Sequence, residues 1–368
     1  MVFNGIYENK KILITGHTGF KGGWLSLWLS MLGAKVVGYS LGPPSEPNLS
    51  EVIGLQRGLV EDIHGDVREL EKLYEVFSEC RPDIVFHLAA QPLVRLSYEE
   101  PALTYETNVI GTVNVLEAAR KTESVRAIVN VTSDKCYENQ EWIWGYREND
   151  PMGGHDPYSS SKGCAELVTS AYMNSFFSPE KYGKDHQVGL ASVRAGNVIG
   201  GGDWGEDRLV PDCVRALSKG KEIVIRYPGA IRPWQHVLEP LSGYLLVGAK
   251  LWADGPNYAG GWNFGPSDEE VWNVEEVVQE CIRLWGHGSY RPDPKKHVHE
   301  AYWLKLDCSK ARIDLQWEPR YTIKQALEKT VEWYKIFYEG SKGTDMRKFA
   351  EGQIESYGKP EHGPDLVC

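Results

Sequence analysis

Between Lys11 and Arg194 one pattern recurs: a short run of apolar and β-branched residues, then a stretch long enough for a helix. The runs are KILITG, AKVVGYS, DIVFHLAA, AIVNVTS and GLASVRA. Each is apolar almost throughout instead of alternating with polar residues, so each has to be covered on both faces. Strands of that kind, separated by helical stretches, belong to a parallel sheet sandwiched between helix layers. The expected fold class is therefore α/β, a doubly wound parallel sheet. Few other architectures bury so many consecutive apolar strands.

Beyond Arg194 the text changes. GNVIGGGDWGEDRLVPD and RYPGAIRPWQH are rich in Gly, Pro, Trp and Arg, and such composition favours loops. A smaller, ligand-facing lobe is expected over 191–340, partly interleaved with a first domain over 1–190. Within it, NVEEVVQECIRLW returns to helical period, with Asn273 as N-cap and Glu276 as its capping-box partner. From about Glu339 the chain turns polar, and 341–368 is expected to be a loosely held tail.

The formal net charge of −11 over 368 residues argues against nucleic acid as a partner, because binding phosphate backbones requires a basic surface. MVFNGIYENKKILITG has no signal-type apolar core, and WLSLWLSML is far too short to span a bilayer. A cytoplasmic protein with no membrane partner is expected. Seven scattered cysteines without a CxxC pair read as reduced thiols. His297 and His299 in KKHVH sit two apart, but a solvated basic segment is the plainer reading, and no metal is expected.

The chemistry starts after the first strand. TGHTGFKG places Gly16, Gly19 and Gly22 where a strand turns tightly into a helix. Their backbone can then approach a pyrophosphate at the helix's positive end, so a dinucleotide is the natural ligand. Lys21 lies inside the loop, its ammonium directed either to a phosphate or to water. The second strand ends in Tyr39 and Ser40, without an acid for the ribose 2′-hydroxyl and without an arginine for a 2′-phosphate; NAD is preferred over NADP. Asp66, in HGDVRE, either accepts from the adenine amino group or caps the next helix.

Two further constellations follow. YSSSK holds Tyr158 and Lys162 one helical turn apart, so that an ammonium is expected beside the phenol to lower its pKa and make a general base. TSDKCY, at the end of AIVNV, delivers Ser133, Asp134 and Lys135 in a row, where a buried strand opens into a cleft.

Together, TGxxGFxG, HLAAQ, ETNVIGT, the hydroxyl residue ahead of YxxxK, and RAGNVIGGGDW resemble the extended short-chain dehydrogenase/reductases, in the branch that modifies nucleotide sugars. The match runs from about residue 10 to 335, and TSDKCYEN is similar to the 4,6-dehydratases of that branch. The resemblance implies a Rossmann domain with a smaller C-terminal sugar-nucleotide lobe. It also implies a homodimer, or a dimer of dimers, built through the YxxxK helix and the one before it. NAD would be held by Gly16, Thr18, Gly19, Phe20, Lys21, Gly22, Tyr39, Asp66, Val67, Leu88, Ala89, Ala90, Asn108, Tyr158 and Lys162. The substrate, implied to be CDP-glucose, would be held by Arg95, Asn197, Arg208 and Arg232.

In the reaction that the resemblance implies, carbon 4 of the hexose is oxidised, water leaves across carbons 5 and 6, and the same hydride returns to carbon 6. Tyr158 would be the base for oxidation, Lys162 would lower its pKa, and Ser133 would hydrogen-bond the reacting hydroxyl. Asp134, kept protonated by a desolvated site, would donate to the departing hydroxyl. Where better-known relatives carry Asp-Glu, this chain has Asp134-Lys135, and Lys135 would collect the carbon 5 proton only if burial or the nearby Lys162 drove its pKa down. A 4-epimerase has no use for that pair. Asn108 is expected to support the site, Arg194 either to contact the substrate or to form a buried structural ion pair, and Trp204 and Trp234 either to stack on the ligand or to pack in the core or on the surface.

Overall fold

The computed structural model describes residues 3, 5–267, 271–294, 303–340 and 345–359. His297 and His299 lie outside them.

In chain order the strands are β1 (Lys11–Thr15), β2 (Lys35–Ser40), β3 (Glu61–His64), β4 (Ile84–His87), β5 (Ala127–Val131), β6 (Gly189–Arg194), β7 (Val198–Ile199), β8 (Ile223–Ile225), β9 (Gln235–His236), β10 (Gly260–Asn263) and β11 (Tyr290–Pro292). The helices are α1 (Phe20–Met31), α2 (Leu49–Val52), α3 (Leu70–Cys80), α4 (Val94–Glu99), α5 (Pro101–Tyr105), α6 (Gly111–Arg120), α7 (Pro157–Ser175), α8 (Leu209–Leu217), α9 (Leu238–Asp254), α10 (Val274–Trp285), α11 (Ser309–Asp314), α12 (Ile323–Glu339) and α13 (Met346–Gly358).

Seven strands form one parallel sheet in the order β10-β6-β5-β4-β1-β2-β3. The five apolar runs are its central strands, and β4, β5 and β6 are buried along their whole length, as continuous hydrophobic runs require. Strand order reverses between β1 and β4, whose carboxyl ends diverge into a crevice; in open α/β sheets that is where ligands bind. Thr15 stands at that point. Its Oγ1 bonds His87 Nδ1 at 2.7 Å and accepts from the backbone N–H groups of Leu88 and Ala89.

The second lobe is built from two small parallel pairs, β7 with β9 and β8 with β11, together with α8 and α10. Strand β10 comes late in the chain yet pairs with β6 in the main sheet. Asn273 caps α10 with the predicted box: its side chain accepts from Glu276 N, and the Glu276 carboxylate accepts from Asn273 N.

One expectation is corrected. The stretch read as a loose tail contains α13, whose Met346, Ala350, Ile354 and Tyr357 are buried against the core. Tyr357 meets Trp28 edge-on at 5.8 Å and donates to Glu239 Oε2 at 2.8 Å, while Arg320 Nη1 donates to the Tyr357 carbonyl. Four apolar residues at helical spacing suffice to anchor an otherwise polar segment. No described helix is long and apolar enough to cross a membrane.

Candidate active site

The glycine loop fits a dinucleotide. A Cβ on Gly22 would lie 2.1 Å from the Gly16 carbonyl oxygen, and one on Gly16 would meet Ala89 N at 2.7 Å. Gly16 also sits at φ +78, a conformation that glycine adopts without strain. Helix α1 begins at Gly19 with no side-chain cap and no acid in its first turn, so its N–H groups and dipole are available to an anion.

Tyr39 is fully buried, and its hydroxyl donates to the Asp66 carbonyl at 2.8 Å. Asp66 itself accepts from the Arg68 backbone N–H and guanidinium. It thus closes a turn ahead of α3, whose N-cap is Glu69. A group the sequence reading passed over stands beside the loop: His17 bonds Asp62 at 2.7 Å and Ser40 at 3.1 Å, and Ser40 in turn bonds Thr18 at 2.9 Å. Asn108 ties Gln91 to the YxxxK helix through Ser161 Oγ, the supporting role expected of it. It lies in a π-helical turn, Glu106–Ile110.

Beyond the crevice opens a cleft of about 310 Å³ between the two lobes. Ser133, Asp134, Lys135, Tyr158, Asn197, Arg208, Arg232 and Arg95 all line it, as do Phe20, Lys21 and Trp234. Asp156 caps α7 through the Ser159 N–H, and α7 then presents Tyr158 and Lys162 one turn apart, as the spacing predicts.

Burial dominates the electrostatics. It holds the Asp134 carboxyl above the ordinary carboxylate range, although Lys135, Ser133, Lys21 and Arg232 all pull it down. Asp134 Oδ1 accepts from Ser133 Oγ at 3.0 Å, whereas Oδ2 is buried without a hydrogen-bond partner among the described residues. Burial favours the protonated form of such a carboxyl, the form that can serve as an acid. Its room comes from Gly196, where a Cβ would lie 1.9 Å from Oδ2.

Tyr158 departs from the expectation of a lowered phenol. Burial pushes it up to about 12, Ser133 draws it back by hydrogen bonding, and Arg208 supplies the lowering charge. The Lys162 ammonium approaches the Val131 carbonyl of β5 at 3.5 Å. Spacing along the helix sets the Cα positions; the long side chain follows the nearest acceptor.

Lys21 answers the question left open for it in part: it does not point to open water. It lines the cleft, with its Nζ 5.9 Å from the centre of the Tyr244 ring. Burial and Arg208 bring it down to about 8, against the pull of Asp134 and Asp203. Lys162 is brought to about 8 as well, by burial and then by Lys21. The cation that Lys162 faces is thus Lys21, and Lys135 is half-buried on the cleft wall.

Behind the site, Arg194 and Glu166 form a buried pair, with contacts of 2.8 and 2.7 Å, the structural one of the two readings open for Arg194. Trp204 packs among Trp333, Tyr334 and Phe337, so core packing is its role. No group of three His, Cys, Asp or Glu residues suited to a metal ion occurs among the described residues, and the six described cysteines are free.

A doubly wound sheet with a glycine-rich first turn, a Tyr-x-x-x-Lys helix and a hydroxyl residue at the end of the neighbouring strand defines an extended short-chain dehydrogenase/reductase. Residues 13–330 match the GDP-mannose 4,6 dehydratase family, and the chain belongs to that family. A CDP-glucose 4,6-dehydratase of Salmonella typhimurium is 53% identical over 97% of this chain and 98% of that protein. A dTDP-glucose 4,6-dehydratase of Xanthomonas campestris is 26% identical over 88% of this chain and 92% of that protein. Among solved structures, a dTDP-glucose 4,6-dehydratase from Bacillus anthracis in complex with NAD superposes with a TM-score of 0.72 at 25% identity. It covers 90% of this chain and 98% of its own. The epimerase Mth375 of Methanothermobacter thermautotrophicus reaches 0.78 at 24% identity, covering 92% of this chain and 96% of its own, a likeness of fold.

Proposed function

We propose that the protein is an NAD-dependent CDP-glucose 4,6-dehydratase, converting CDP-D-glucose to CDP-4-keto-6-deoxy-D-glucose with loss of water. The observation that carries this reading is Asp134: a buried carboxyl, raised by that burial and hydrogen-bonded to Ser133, in the same cleft as Tyr158. Oxidation at carbon 4 alone, or epimerisation there, needs no such acid. The name of the 53% identical relative selects CDP-glucose from the sugar nucleotides.

NAD, when bound, supplies the hydride acceptor for carbon 4 and the donor for carbon 6. Gly16, Gly19 and Gly22 admit its pyrophosphate to the α1 N-terminus, with Thr18, Phe20, Val67, Leu88, Ala89 and Ala90 around the crevice. Tyr158 takes the proton of the carbon 4 hydroxyl, Ser133 orients that hydroxyl, and the cations facing the phenol, Arg208 among them, stabilise the phenolate. The resulting ketone acidifies carbon 5. Lys135 collects that proton, Asp134 donates its own to the departing carbon 6 hydroxyl, and Lys135 returns a proton to carbon 5 as carbon 6 is reduced. Arg95, Asn197, Arg208 and Arg232 hold the nucleoside diphosphate, arginine forks being suited to phosphate oxygens.

We place the enzyme in the cytoplasm as a homodimer. Tyr98, Tyr105, Ile110 and Leu167 are exposed on the neighbouring elements α4 to α7, an apolar face that a second copy would cover.

The test is incubation in deuterated water with CDP-glucose, dTDP-glucose, UDP-glucose and GDP-mannose. A 4-keto-6-deoxy product carrying solvent deuterium at carbon 5, formed chiefly from CDP-glucose, is expected. A 4-epimer without solvent label would overturn the reading. Lys135→Met should abolish incorporation of that label.

A further inference from the structure

At the mouth of the cleft one carboxylate is held by two arginines from different parts of the molecule. Asp207 Oδ1 lies 3.0 Å from Arg95 Nη1, on α4 of the sheet domain, and 3.0 Å from Arg226 Nη1, just after β8 in the second lobe. Arg226 Nη2 also donates to the Asp207 carbonyl at 3.1 Å. All three residues line the same cleft as Arg208, Arg232 and Asn197. Neither Asp207 nor Arg226 belongs to a motif, so nothing in the sequence singled them out.

A nearby acid shows by contrast what Asp207 does. Asp203 is buried, takes Arg208 Nη1 on both oxygens at 2.9 Å, and also accepts from Gly205 N. It is part of the loop's frame. The Asp207 side chain is 41% exposed and its arginines 38% and 21%, so this pair is half in water and weakly held. Its backbone is left-handed, φ +59, which Asp and Asn tolerate better than most residues. The two guanidinium forks facing this carboxylate are of a kind suited to phosphate oxygens.

We propose that Asp207 is a displaceable stand-in for phosphate: its carboxylate occupies a seat formed by Arg95 and Arg226 that the substrate's diphosphate takes over on binding. This rests on the nucleotide-sugar reading of the cleft and adds Arg226 to the residues that hold the substrate. Asp207 then competes with the ligand, weakening affinity for every nucleoside diphosphate and discriminating most against ligands with fewer phosphate charges.

Equilibrium binding of CDP, CMP, cytidine and inorganic pyrophosphate to the full chain tests it. Asp207→Asn keeps a residue suited to the left-handed backbone and removes the charge. CDP and pyrophosphate should bind it about five-fold more tightly, the factor that a half-exposed ion pair of about 1 kcal/mol sets, and cytidine should be unmoved. Arg226→Gln should weaken CDP, and in Asp207→Asn/Arg226→Gln the gain should shrink. If Asp207→Asn binds CDP no more tightly, or more weakly, the carboxylate is a positioner of the arginines and the proposal falls. If pyrophosphate tightens while CDP, UDP and dTDP bind alike, the seat stands and the choice of cytidine falls. If the parent protein binds no nucleoside diphosphate, the functional reading fails and takes the seat with it.

Discussion

Glu166→Gln tests how the buried frame behind the site governs both stability and chemistry. Glu166 and Arg194 are each only 4% exposed. The carboxylate accepts from Arg194 Nε and Nη2, Ser192 Oγ and Thr132 Oγ1, and so binds α7 to β6 and to the residue just before Ser133. The amide has nearly the same shape but strands the guanidinium in a low-dielectric interior. Breaking a buried pair this way costs about 3–5 kcal/mol, which at a few degrees per kcal/mol lowers Tm by roughly 10 °C. A second effect is electrostatic. Glu166 raises Lys162, which stands at about 8, so the amide lets the lysine lose its proton at lower pH. In the proposed site Lys162 holds NAD as the ammonium. Activity that depends on it is present below that pKa and lost as pH rises through it, and the alkaline limb of the rate profile should move to lower pH. Thermal unfolding followed by circular dichroism, with kcat/KM across pH 6–10, reads both. A stability within about 0.5 kcal/mol of the parent, or an unmoved alkaline limb, would refute the reasoning. Glu166→Gln/Arg194→Met should regain most of the lost stability, because it removes the stranded charge.

Gly196→Ala should displace the Asp134 carboxyl, since the new methyl would lie 1.9 Å from Oδ2; product formation should fall at least ten-fold while NAD binding, measured by fluorescence, is retained. Tyr158→Phe should lower kcat by about 10²–10⁴, with CDP-glucose binding little changed by calorimetry. Tyr357→Phe withdraws a hydroxyl from the buried Glu239 carboxylate and should cost about 1–3 kcal/mol in urea unfolding; a loose tail would show no loss.

Much of this was legible along the chain. The five apolar runs became strands because each carries its reason locally, in β-branched residues that only a doubly covered sheet can bury. The glycine loop, the Asp156-capped helix bearing Tyr158 and Lys162, and the Asn273 box are likewise decided within a turn or two of backbone. The tail was misread because four apolar residues at helical spacing are a faint signal without the surface they dock against. The direction of the Lys162 ammonium was not legible, because helical spacing fixes where a side chain starts and not where it ends.

The sequence alone thus determined the sheet and the cofactor loop and nominated the groups proposed to react, since these depend on local propensity and on residue chemistry. Tertiary structure decided which charges meet: Lys21 opposite Lys162, Asp134 in the space left by Gly196, Asp207 between Arg95 and Arg226. Those encounters join residues tens to more than a hundred positions apart, and their energetics depend on burial, which exists only once the chain has closed around the cleft.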